Sequence, residues 1–224
     1  MSKLIWGETG KRFYETGVDR GVFWKMDDTG KYGAGMPWSG LTSVTESPEG
    51  AEEEAFYADN AKYLALRGAE DLGFSIGAFY SPEEFDECDG AAELAPGVSI
   101  RQQTRKTFAF SYRSKIGNDA AKEDYGYKIH IYYGCSASPT EREHTTINDT
   151  PEISELSWDC TTTPINVEGY RPTSVLEIDS TKISKENLAL IENALYGTEE
   201  EDSKLLMPLE ILALINGDAS PAQG

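Results

Sequence analysis

Apolar residues recur at every second position over much of the chain, the period of a strand with one buried face. Residues 13–26 hold two short runs broken at Gly17, and the second sets Val22, Trp24 and Met26 on one face. In 72–80, Leu72, Phe74, Ile76, Ala78 and Tyr80 alternate with smaller residues. Residues 107–113 align Phe108, Phe110 and Tyr112. Residues 127–133 set Tyr127, Ile129, Ile131 and Tyr133 against Lys128, His130 and Tyr132. These two runs, separated by a polar loop opening at Gly117-Asn118-Asp119, predict neighbouring antiparallel strands. Residues 153–163 turn Leu156, Trp158 and Cys160 inward, and 174–180 turn Leu176 and Ile178 inward with Glu177 and Asp179 outward. A further strand is expected over 38–45, ended by the turn signal Ser47-Pro48-Glu49-Gly50. Residues 56–67 fit both periods in part, and a strand broken at Asp59-Asn60 is the preferred reading.

Helical signals are fewer. Ser184 reads as an N-cap, Leu188, Ile191 and Leu195 share a face, and Gly197 stops the helix. A short helix is expected from Ser81 as N-cap and Pro82 at the first position, ending by Gly90. Residues 27–35 and 198–203 read as loops, 205–215 as a last strand or helix, and 219–224 as a disordered tail. Nine or ten strands with two helices predict a mainly β chain: a β-sandwich or partly closed barrel with one or two flanking α-helices, long loops and a C-terminal extension. The division expected is a β domain over 1–197, then an acidic loop and extension over 198–224.

Of the 224 residues, 39% are hydrophobic and 11% aromatic, enough for a packed core. The apolar run at 207–215 is interrupted by Pro208 and Glu210, so no membrane span is expected, and the N-terminal residues lack the apolar region of a signal peptide. The net charge is −19, from 39 acids against 20 bases, which disfavours adhesion to nucleic-acid phosphates. Cys88, Cys135 and Cys160 are odd in number and lack C-x-x-C spacing, so buried thiols are expected rather than a disulfide framework or zinc site. Asn148-Asp149-Thr150 matches a glycosylation sequon, without meaning unless the chain is secreted.

The search for chemistry finds little. His130 lies mid-strand and His144 in a loop, and neither belongs to a paired metal motif, so both read as structural. Gly134-Cys135-Ser136-Ala137-Ser138 lacks the second glycine of a nucleophile elbow. Gly7-Glu8-Thr9-Gly10-Lys11 is too short for a phosphate loop. The acids Glu83, Glu84, Asp86, Glu87 and Asp89 miss the spacing of a calcium loop. No catalytic, metal or cofactor site is expected, and no enzyme. The densest cations are Arg101, Arg105 and Lys106, before the 107–113 run, and Arg113 and Lys115, at its end. They serve either strand-end solubility or pairing with acids of a neighbouring copy.

Several strings carry a family likeness: Ser43-Val44-Thr45-Glu46-Ser47-Pro48, Tyr57-Ala58-Asp59-Asn60, Glu93-Leu94-Ala95-Pro96-Gly97, Gln103-Thr104-Arg105-Lys106-Thr107-Phe108 and Ile178-Asp179-Ser180-Thr181-Lys182. With them the chain resembles the major tail protein, or tail tube subunit, of long-tailed, non-contractile bacteriophages and related prophages. The resemblance implies a non-enzymatic virion protein, assembled in the bacterial host cytoplasm, whose copies form rings, typically of six, that stack into a tube. It implies as partners the protein itself, a tape-measure protein, tail terminator and distal tail proteins, and DNA in transient, non-specific passage. On this reading 27–55 is an inter-ring arm, and Tyr32, Trp38, Arg101, Arg105, Lys106, Arg113 and Lys115 are candidate subunit-interface residues. The alternative is a carbohydrate- or host-receptor-binding β-sandwich module of a virion, presenting Trp24, Trp38, Tyr132 and Tyr133 as exposed aromatics.

Overall fold

The computed structural model describes residues 4–50, 52–144, 146 and 153–217. The sequon at 148–150 and the tail at 219–224 lie outside the described residues. The chain is mainly β, with twelve strands and two α-helices among the described residues: β1 Phe13–Met26, β2 Tyr32–Trp38, β3 Leu41–Gly50, β4 Glu53–Ala58, β5 Ala61–Arg67, β6 Glu70–Ala78, β7 Ala91–Ala95, β8 Val98–Arg101, β9 Phe108–Asn118, β10 Lys122–Ala137, β11 Leu156–Thr162, β12 Val175–Asp179, α1 Lys185–Tyr196 and α2 Pro208–Asn216. Eight strands form one antiparallel sheet in the order β2-β1-β9-β10-β11-β6-β3, with β12 joined to β10. β4–β5 and β7–β8 are separate hairpins.

Strand alternation divides the core into two layers. One face of the sheet gathers Phe23, Trp38, Phe74, Ile76, Phe108, Phe110, Tyr132, Trp158 and Cys160. The sheet curls over this face without closing into a barrel. A Cβ at Gly21 on β1, next to the end strand β2, would stand 2.6 Å from Leu41 Cδ1 of β3 and 2.8 Å from the Trp38 carbonyl oxygen, so β1 and the opposite end strand approach closely at a point where only glycine fits. The opposite face carries Val22, Trp24, Ala109, Ile129, Ile131 and Tyr133, covered by Leu188, Ile191 and Leu195 of α1 and Ile211 of α2. Leu205 and Leu206 are buried in that same layer, so the chain after Thr198 packs into the main core.

The predicted antiparallel pairing of β9 with β10 is present, with His130 opposite Tyr112 and Ile131 opposite Ser111. Ser184 caps α1 by accepting a hydrogen bond from the Asn187 amide. Residues 205–215, open between strand and helix, resolve into an approach to α2, with Pro208 at its first turn.

Several local expectations are corrected. The break at Gly17 is a bulge within one long strand: the register against β9 shifts between Thr16 and Asp19, and again before Val22. Residues 27–35 are not one loop. The Asp27 carboxylate accepts bonds from the Thr29 and Lys31 amides, closing a tight turn, and β2 begins at Tyr32. Ser47-Pro48-Glu49-Gly50 does not end a strand, because β3 lies at the sheet edge, where a proline costs no ladder bond. Ser81 caps no helix: only a 3-10 turn, Glu83–Phe85, follows, pinned by the buried Phe85 ring.

Candidate assembly surface

The β4–β5 hairpin extends the β3–β6 pair as a ribbon, the Gly68 amide donating to the Glu52 carbonyl between the two pairs. β3 pairs with β6 from Leu41 opposite Ala78 out to Gly50 opposite Glu70, and β4 pairs with β5 from Glu53 opposite Arg67 to Ala58 opposite Ala61. The tip is the two-residue turn Asp59-Asn60, with φ of +50° and +59°, the paired left-handed residues of a type I′ hairpin. β11 pairs with β6 only from Gly73 to Ala78, so the ribbon beyond Gly73 runs off the sheet. Phe56 stands opposite Leu64, putting both on one face with Leu66. These three are 42%, 39% and 59% exposed. Their cross-strand pairing makes this face a candidate interaction surface. Next to them, β3 is the end of the sheet order, an open edge able to pair with another strand.

The residues singled out from sequence lie elsewhere. Tyr32 is half-buried on the helix-covered face, its hydroxyl accepting a bond from the Gly134 amide, and burial pushes its pKa up. Trp38 is 2% exposed, ringed by Phe23, Phe85, Phe110 and Trp158, and its indole N–H donates to the Tyr80 carbonyl. The cations have acidic partners within the chain. Arg113 makes a bidentate pair with Asp19 at 2.7 and 2.8 Å and stacks on Tyr127. Lys115 is 3.6 Å from Glu123, and Lys106 is 3.2 Å from Glu87. Arg101 joins Arg142 on the buried carboxylate of Asp89, whose carbonyl takes a bond from Arg105. The geometry therefore brings Arg101 and Arg105 together at Asp89 and Arg113 and Lys115 together beside Asp19, while Tyr32 and Trp38 lie in different core layers and Lys106 pairs with Glu87.

The four aromatics expected to be exposed for glycan binding are a correction. Trp24, Trp38, Tyr132 and Tyr133 are all buried, because alternation sends them into one or the other core layer. The ribbon face is the feature that sequence reading missed. Its signal was present in Phe56, Leu64 and Leu66, but only the register across the Asp59-Asn60 turn makes them neighbours.

The three cysteines are free and buried, and burial raises the thiol pKa of Cys88 to about 12. No helix among the described residues is long and apolar enough to cross a membrane. No protein-family model matches the chain, and no curated protein matches its sequence. Among solved structures it is similar to a chain of the sheath–tube complex of PVC, an extracellular contractile injection system, in the extended state. That match has 11% identity and a TM-score of 0.37, and covers 71% of this chain and 88% of that one. A chain of the sheath/tube terminator of the same system matches at 9% identity and a TM-score of 0.35, covering 79% of this chain and 99% of that one.

Proposed function

We propose that the protein is a non-enzymatic structural subunit of a phage-type tail, polymerising into stacked rings that form the tube through which DNA passes. The observation that carries the proposal is the ribbon: an off-sheet arm with an apolar face, continuous with an open strand edge. An arm that engages the next copy makes a heterologous contact, and a heterologous contact that does not close on itself produces a filament. The mainly β sheet with flanking helices and the family strings support the same reading. Rings of six, a lumen for DNA, assembly in a bacterial cytoplasm, and contacts with tape-measure, terminator and distal tail proteins belong to the proposal.

Negative-stain electron microscopy of the purified protein over a concentration series tests it. Hollow tubes or stacked rings are expected above a threshold concentration. Monodisperse single copies at all concentrations, with and without a tape-measure protein, would overturn it.

A further inference from the structure

Three strands bring metal-ligating atoms to one point. His130 comes from β10, Glu177 stands directly opposite it on β12, and Glu46 comes from the edge strand β3. One ligand atom from each lies within 4.8 Å of the other two. The point sits at the end of an aromatic row, where the Tyr112 ring stacks on the imidazole at 4.6 Å and Tyr112 stacks in turn on Phe110 and Tyr132.

The imidazole is fixed and incomplete. His130 is 5% exposed. Its Nε2 is 2.9 Å from Ser114 Oγ of β9. Its Nδ1 is buried, has no hydrogen-bond partner, and faces Glu177 Oε1 at 3.7 Å. In the tautomer that directs the Nε2 proton at Ser114, Nδ1 turns a lone pair toward the carboxylates. Two donors reach the carboxylates, and neither reaches Nδ1. The Tyr132 hydroxyl donates to Glu46, and Lys128 Nζ is 2.5 Å from Glu15 but 3.6 Å from Glu177. Three electron-rich atoms facing one another ask for a cation between them.

We propose that Glu46, His130 and Glu177 bind a divalent transition-metal cation of the Zn²⁺ class. One imidazole nitrogen with two carboxylates suits borderline cations, whereas Ca²⁺ and Mg²⁺ prefer all-oxygen shells. The Ser114 contact is the outer-shell hydrogen bond that selects which ring nitrogen ligates. Ligand distances of about 2.0–2.1 Å put tetrahedral ligand atoms about 3.4 Å apart. Glu46 and Glu177, both exposed, need only swing inward by about an ångström, while the buried ring stays in place. The bound cation ties the edge strand β3 to β10 and β12, holding the curl of the sheet. The inference is independent of the tail-tube reading.

Titration calorimetry of the full chain, stripped with a chelator, against ZnCl₂ is the test. One Zn²⁺ per chain is expected, with Glu177→Gln and Glu46→Gln each weakening binding by at least about tenfold. His144→Gln, far along the sequence in a loop, should leave affinity unchanged. Glu177 is half-exposed, so its variant keeps the fold, and matched thermal unfolding of metal-free wild type and variant verifies that. Absence of saturable binding, wild-type affinity in both glutamine variants, or Ca²⁺ binding as tightly as Zn²⁺ would each overturn the proposal.

Discussion

At the scale of single residues, the fold depends on a few positions where backbone or charge has one solution. Gly134 has φ of +59° within β10, and a Cβ there would lie 2.5 Å from the Thr163 carbonyl oxygen. A Gly134→Ala variant therefore combines left-handed strain with a backbone clash and should lose about 1–3 kcal/mol in urea unfolding. The Asp19–Arg113 pair makes a pH prediction. Hydrogen bonding and charge from Arg113 hold the Asp19 carboxyl below its ordinary value of 3.8. A depressed folded-state pKa stabilises the fold above the unfolded value, and that contribution disappears as pH falls through the folded value. Asp19→Asn should therefore be less stable than wild type at pH 7, with the gap shrinking below pH 3.8. A gap of constant size down to pH 2.5 would mean that Asp19 acts through packing rather than charge.

At the scale of elements, strict alternation was readable and contextual strands were not. β9, β10, β11, β12 and α1 were expected from spacing, although β9 and the second half of β10 are buried on both faces and not along one stripe. β2 was hidden by Gly33, Gly35 and Pro37, and exists because β1 supplies its ladder partners. The β7–β8 hairpin was missed because Glu93, Leu94 and Ala95 bury little and show no periodic stripe. The Glu46–His130–Glu177 group was invisible, since only strand pairing and the curl of the sheet unite positions so far apart. The ribbon was half-readable: the break at Asp59-Asn60 was apparent, but not that it is the tip of an arm. A Phe56→Ser, Leu64→Ser, Leu66→Ser triple variant alters only exposed side chains of that arm. It should unfold within about 1 kcal/mol of wild type, as surface changes usually do, yet fail to form tubes under the microscope. Tubes of ordinary length from this variant would remove the ribbon from the assembly contact.

At the scale of the whole molecule, the proposed assembly has to bring together copies of a chain of net charge −19. Sequence alone left Arg101, Arg105, Lys106, Arg113 and Lys115 available for a neighbour's acids. In the folded chain each meets an acidic side chain or, for Arg105, the carbonyl of Asp89. Exposed pairs such as Lys106–Glu87 and Lys115–Glu123 contribute little to stability, but they lower the positive potential available to a partner. Two assembly physics then predict opposite salt dependence. If neighbouring subunits met mainly through complementary charge, salt would weaken the contact. If the contact is the apolar ribbon and an open strand edge, the main electrostatic term is repulsion between acidic copies, and salt relieves it. The screening length falls from about 30 Å at 0.01 M to about 8 Å at 0.15 M ionic strength. The threshold concentration for assembly, followed by light scattering, should therefore fall as NaCl rises over that range. A threshold that rises instead would return the subunit contact to the cations, and Arg101 with its partner Asp89 would be the first pair to reverse in charge.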